Sequence, residues 1–150
     1  MSPVDGARAA LPRALRGLVL DHVAVAVADL DTGSRPWALL GLERHGADER
    51  IVDQGAVVRA YQLGETLLEL LAPLGEGTPV ARYLARRGPG LHHLALRVDD
   101  LAAELARLEA LGAVLIDTVP RAGRAGTKVA FVHPGWTGGT LVELVEPRRI

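Results

Sequence analysis

No cysteine occurs in the 150 residues, which removes disulfide frameworks, zinc-thiolate sites and thiol nucleophiles together. Aromatic residues are nearly as scarce, with two Trp, two Tyr and one Phe, so Val, Leu and Ala must build the core. Neither sign of charge dominates, since 17 Lys and Arg stand against 18 Asp and Glu. A nucleic-acid partner needs a basic face, and none is present. Apolar runs stay far below the ~20 residues of a membrane helix, so no membrane partner is expected. Residues 1–17 place Arg8, Arg13 and Arg16 among Ala, Pro and Gly without the apolar stretch of a secretory signal. They read as a flexible tail, and the location expected for the chain is cytoplasmic.

What the sequence does contain is a duplication. Asp21-His22-Val23-Ala24 returns as His92-His93-Leu94-Ala95, which sets His22 and His93 71 positions apart. Gly41 and Gly112 keep the same offset, and Thr66-Leu67-Leu68-Glu69-Leu70 returns as Thr140-Leu141-Val142-Glu143-Leu144 after 74 positions. The length suits one domain, able to bury about 70% of the surface of its unfolded chain.

Periodicity gives each half the order βαβββ. Leu18 to Val27 alternates as a strand, Asp29 or Asp31 caps a helix to about Leu40, and strands follow near Leu42 to Val52, Ala56 to Leu63 and Thr66 to Leu71. The second half predicts a strand over Leu91 to Val98, then a helix capped by Asp99 or Asp100 and ending at Leu111. Strands follow near Val114 to Asp117, Lys128 to His133 and Thr140 to Val145. Leu101, Leu105, Leu108 and Leu111 make the second helix the clearest element. Module one spans 18–73, a Gly- and Pro-rich linker with its own short helix spans 74–90, and module two spans 91–147. The expected class is α+β, two tandem βαβββ modules with antiparallel-rich sheets enclosing a metal-containing cleft.

His22 and His93 open equivalent strands, and Glu69 and Glu143 close equivalent modules. Any one of them has an ordinary alternative, a hydrogen-bonding histidine or a glutamate turned to solvent. Their paired recurrence favours convergence on one divalent ion, for which imidazole and carboxylate suit Zn, Co, Ni or Mn. His92 should face the other side of its strand, and His45 should be solvated.

Leu20-Asp21-His22-Val23-Ala24, Asp53-Gln54-Gly55, Glu69-Leu70-Leu71-Ala72-Pro73-Leu74, Gly90-Leu91-His92-His93 and Gly138-Gly139-Thr140-Leu141-Val142-Glu143 together resemble the vicinal-oxygen-chelate (glyoxalase-like) superfamily, and within it the methylmalonyl-CoA epimerase family. The resemblance runs from about Leu18 to Pro147. It implies that His22, Glu69, His93 and Glu143 are metal ligands, that a small acyl-CoA is the substrate, and that the protein is a homodimer. The implied reaction interconverts (R)- and (S)-methylmalonyl-CoA through a metal-stabilised enolate, with Glu143 the first candidate for the catalytic base. The chain departs from the family pattern where one branch has a carboxylate and this chain has Val58, where relatives carry Lys after His133-Pro134, and at Pro36-Trp37. Two rival readings are a glyoxalase I-type lactoylglutathione lyase and a non-catalytic, antibiotic-sequestering protein of the same superfamily.

Overall fold

The structure, a computed structural model, describes residues 18–149. The expected tail over 1–17 lies outside the described residues. The elements run β1 (Val19–Ala26), α1 (Leu30–Leu39), β2 (Glu43–Arg44), β3 (Glu49–Ile51), β4 (Ala56–Leu63), β5 (Thr66–Pro73), α2 (Pro79–Arg87), β6 (Gly90–Arg97), α3 (Leu101–Ala110), β7 (Arg121–Ala122), β8 (Lys128–Val132) and β9 (Val142–Glu146).

Local chemistry accounts for the helix ends. Asp29 accepts from the Thr32 amide at 2.8 Å and Asp100 from the Ala103 amide at 3.0 Å, so both module helices begin at side-chain caps. Each helix is followed by a glycine in a conformation other residues avoid, Gly41 at φ 97° and Gly112 at φ 86°. Thr78 caps α2, and Pro79 fills its first turn, where a missing amide hydrogen costs nothing. Pro36 lies inside α1 and does not end it.

All nine strands among the described residues join one sheet in the order β2-β4-β5-β1-β6-β9-β8-β7, with β3 also on β4. It is a mixed sheet curled into a half-barrel. The meander pairs β4–β5 and β8–β9 are antiparallel, as expected, but β1–β5 and β6–β9 are parallel. The reason is topological: each module returns its last strand beside its first, running the same way, after a helical crossover. The modules meet through antiparallel β1–β6, where His22 pairs with Ala95 and Ala24 with His93. That reciprocal register is a pseudo-twofold between Val23 and Leu94.

Two expected strands differ. The stretch 42–52 breaks into β2 and β3, both on β4. The segment 114–117 keeps only an isolated bridge from Leu115 to Val132. There the Asp117 carboxylate accepts from the Phe131 amide at 2.9 Å, so a side chain takes a hydrogen bond that a strand would use.

Helices α1 and α3 cover one face of the sheet, whereas Val80 of α2 packs against Ala24, Ala26, Val58 and Leu71 on the other. Leu30 joins Val25, Val27, Tyr61, Leu68 and Leu70, while Leu101 and Leu105 join Val98, Ala130, Val132 and Leu144. Each such buried aliphatic side chain contributes roughly 1.5–3 kcal/mol. The rest of that other face lines a cleft.

Candidate metal centre

Polar residues in the middle of an apolar sheet need an explanation, because an unpaired buried charge is costly. His22, Glu69, His93 and Glu143 are all buried, none more than 5% exposed. Strand register explains how they come together. In each module the residue two beyond the histidine pairs with the glutamate, Ala24 with Glu69 and Ala95 with Glu143. β5 and β9 flank the central β1–β6 pair, so the two glutamates approach from opposite sides.

The polar atoms lie at first-neighbour distances. His22 Nε2 is 3.1 Å from His93 Nε2 and 3.7 Å from a Glu143 oxygen, and His93 Nε2 is 2.7 Å from that oxygen. Two donors each ~2.1 Å from an ion and 90–110° apart sit ~3.0–3.4 Å from one another. His22, His93 and Glu143 therefore form a group that could hold a metal ion. Three lone pairs meeting here need a proton or a cation between them, and the donor set fits a divalent ion.

Glu69 stands differently from its twin. Its oxygen is 3.2 Å from His22 Nδ1, on the other edge of the ring, and it belongs to a second group with His22 and Asp21. The structure thus brings all four expected residues into one cavity, with His22, His93 and Glu143 sharing a point and Glu69 grouped instead with Asp21 at the Nδ1 edge of the His22 ring.

Asp21 and His92 are what the residue pattern did not reveal. Irregularities in the β1–β6 ladder fall between Leu20 and His22 on β1 and beside His93 on β6, so Asp21 and His92 are both unpaired bulge residues. Each then turns to its histidine neighbour: Asp21 Oδ2 lies 2.8 Å from His22 Nδ1, and His92 Nδ1 lies 2.8 Å from His93 Nδ1. Strict alternation had put His92 on the opposite face. The bulge overturns that expectation. Arg97 reaches across the strands to hold Asp21 at 3.0 Å. His45 is exposed, as expected.

Charge follows geometry. Burial pushes the His22 imidazole down, but Asp21, Glu143 and Glu69 outweigh it and hold the proton on up to about 10. Burial also raises Glu143, yet hydrogen bonds from His22 and His93 bring it to about 2. Glu69 is raised by burial, partly offset by His22 and Arg124. His92 drops to about 4 through burial and the neighbouring His93.

The centre opens on a cavity of about 100 Å³ lined also by Gln54, Val58, Leu71 and Arg124. Gln54, Leu71 and His93 also line an adjoining cleft of about 910 Å³, whose rim carries Arg82, Arg86, Arg87 and Arg121. Tyr83 fixes one wall through a hydrogen bond to the Leu91 carbonyl.

The sequence profile of the glyoxalase/bleomycin resistance protein/dioxygenase superfamily matches residues 21–131. The chain belongs to this superfamily. Among superfamily relatives, an ethylmalonyl-CoA/methylmalonyl-CoA epimerase of Cereibacter sphaeroides is 41% identical over 128 residues, 83% of this chain and 95% of the relative. The crystal structure of methylmalonyl-CoA epimerase from Mycobacterium tuberculosis matches with a TM-score of 0.84 at 39% identity, over 95% of this chain and 96% of that one. A Streptomyces coelicolor methylmalonyl-CoA epimerase variant in complex with 2-nitronate-propionyl-CoA matches with a TM-score of 0.83 at 30% identity, over 88% of this chain and 96% of that one. Among the described residues of this superfamily member, no helix is long and apolar enough to cross a membrane.

Proposed function

We propose that this chain is a metal-dependent epimerase that interconverts (R)- and (S)-methylmalonyl-CoA by α-proton transfer through an enolate. The observation that carries the reading is the convergence of His22, His93 and Glu143 at 2.7–3.7 Å inside a superfamily cleft. His22, Glu69, His93 and Glu143 would hold the ion, either Co, Zn, Ni or Mn by donor type. When bound, it supplies Lewis-acid stabilisation of the negative charge that develops on the substrate oxygens.

The rest falls to the protein. Inversion needs a proton carrier on each face of the planar enolate. Glu143 is the carrier on one face. Its mirror partner Glu69, on the far side of the β1–β6 pair, is the candidate for the other, because Asp21 is engaged by His22 and Arg97. Val58, where one family branch has a carboxylate, leaves that part of the wall apolar and offers no proton. The large cleft has room for a CoA ester, and its arginine rim suits phosphate groups.

The reading takes residues 18–147 as one glyoxalase-like domain, modules 18–73 and 91–147 about a linker 74–90. It also takes the protein as a cytoplasmic homodimer; the exposed Leu39, Leu40 and Leu111 at equivalent helix ends support a partner surface. Elemental analysis of the purified protein, combined with an epimerase assay on CoA thioesters, tests the function. Stoichiometric divalent metal and racemisation of methylmalonyl-CoA are expected. Metal with activity only on the glutathione hemithioacetal of methylglyoxal would favour the lyase reading, and no metal would favour the binding protein.

A further inference from the structure

Arg124 is mostly buried, its side chain 16% exposed, and lines the inner cavity with both glutamates and both histidines. Its guanidinium comes no closer to a carboxylate than 3.6 Å from Glu69, and among the described residues it donates no hydrogen bond. A guanidinium carries five donors. Leaving them unengaged in a cavity that already holds Asp21, Glu69 and Glu143 points to an anion still to be received.

The loop around it is built to hold that position. Ala125 adopts φ 56° and ψ 33°, a conformation uncommon outside glycine, and its amide donates to Glu49 at 2.9 Å. The Thr127 hydroxyl donates to the Arg124 carbonyl at 2.7 Å. A Cβ at Gly123 would lie 2.5 Å from Thr127 Oγ1 and 2.6 Å from Val129 Cγ1, so only glycine fits the turn that precedes Arg124.

We propose that Arg124 is a substrate-binding residue that reads the free carboxylate of a malonyl-type thioester and so sets specificity against thioesters of simple monocarboxylic acids. This rests on the epimerase reading for the kind of thioester. The guanidinium is planar and forked, matching both oxygens of a carboxylate. It stands beside Glu69, where the incoming negative charge would otherwise meet a buried carboxylate.

The test is calorimetric titration of the metal-loaded full chain with methylmalonyl-CoA and with propionyl-CoA, which differ only in that carboxylate. The native protein binds methylmalonyl-CoA more tightly. Arg124→Gln is expected to lose roughly tenfold to a hundredfold on methylmalonyl-CoA, with propionyl-CoA affinity unchanged. Arg124→Lys keeps the charge without the fork and shows a smaller loss on the same ligand alone; if the Gln variant does not fold, this variant carries the test. Equal losses on both thioesters, or no loss on either, would overturn the proposal and leave Arg124 as a counter-charge to Glu69. Epimerase activity of the native protein is measured in parallel. Its absence would count against the proposed function, whereas activity with unaltered discrimination in the variants would count against Arg124.

Discussion

His22 and His93 occupy the same place in two copies of one module, and each is preceded by a bulge residue that bonds its Nδ1. In the first module that residue is Asp21, in the second His92. The backbone is therefore duplicated more faithfully than the chemistry. A carboxylate beside His22 stabilises its charged form and fixes which ring edge faces the centre, while an imidazole beside His93 supplies a hydrogen bond without charge. The glutamates diverge in the same way: Glu143 is bonded to His93 at 2.7 Å, and Glu69 lies across the His22 ring with Arg124 behind it. Twofold symmetry can gather ligands for one ion, but inversion at a carbon requires the two sides to act in sequence on different faces. The side chains therefore break the symmetry that the strands impose.

The largest effect should separate the glutamates. Glu143→Gln is expected to lower α-proton exchange in D₂O by roughly 10²–10⁴-fold. Glu69→Gln should abolish epimerisation while one enantiomer still exchanges. Proton NMR of each enantiomer in D₂O reads both, and identical behaviour of the two variants would make the halves equivalent.

Next come the bulge residues. Asp21→Asn is expected to weaken metal binding by roughly 10–100-fold, and His92→Asn by clearly less, measured by competition with a chromogenic chelator. Equal losses would mean that the charge of Asp21 is immaterial.

His22 is raised from 6.5 to about 10, so in metal-free protein its stabilising contribution is full below 6.5 and is lost as pH rises through about 10. Glu143 is depressed from 4.5 to about 2, so its contribution is present above 4.5 and lost as pH falls through about 2. An incoming ion must displace the His22 proton. The thermal shift on adding metal should therefore grow with pH across neutrality and should flatten in Asp21→Asn; a shift independent of pH would contradict this.

The smallest effect lies in the helices. Pro36 inside α1 corresponds to Arg107 in α3, which instead forms an ion pair with Glu104. Proline removes a helical hydrogen bond there, so Pro36→Ala should raise the melting temperature by a few degrees, roughly 2–4 °C per kcal/mol at this chain size. Unchanged melting would show that the rigidity of Pro36 in the unfolded chain offsets the missing bond.

Much of this was legible in the residues. The 71-residue repeat marked His22 and His93, the caps at Asp29 and Asp100 opened the helices, and the Thr-Leu-x-Glu-Leu segments marked Glu69 and Glu143. Periodicity failed at His92, and gave no sign of the role of Asp21, because a bulge adds one residue to one strand and breaks the alternation on which the reading depends. Arg124 carried no signal at all, since a lone arginine in a loop looks solvated until the loop is folded back over Glu69.

Sequence by itself determined the duplication, the order βαβββ in each half and the four paired candidates, because side-chain periodicity and repeated motifs are local properties of the chain. Tertiary structure alone decided that β1 and β6 join the halves into one sheet, that the bulges turn Asp21 and His92 toward the histidines, and that Arg124 closes the cavity. Those outcomes depend on strand register and on contacts between residues far apart in the chain, and no local pattern encodes them.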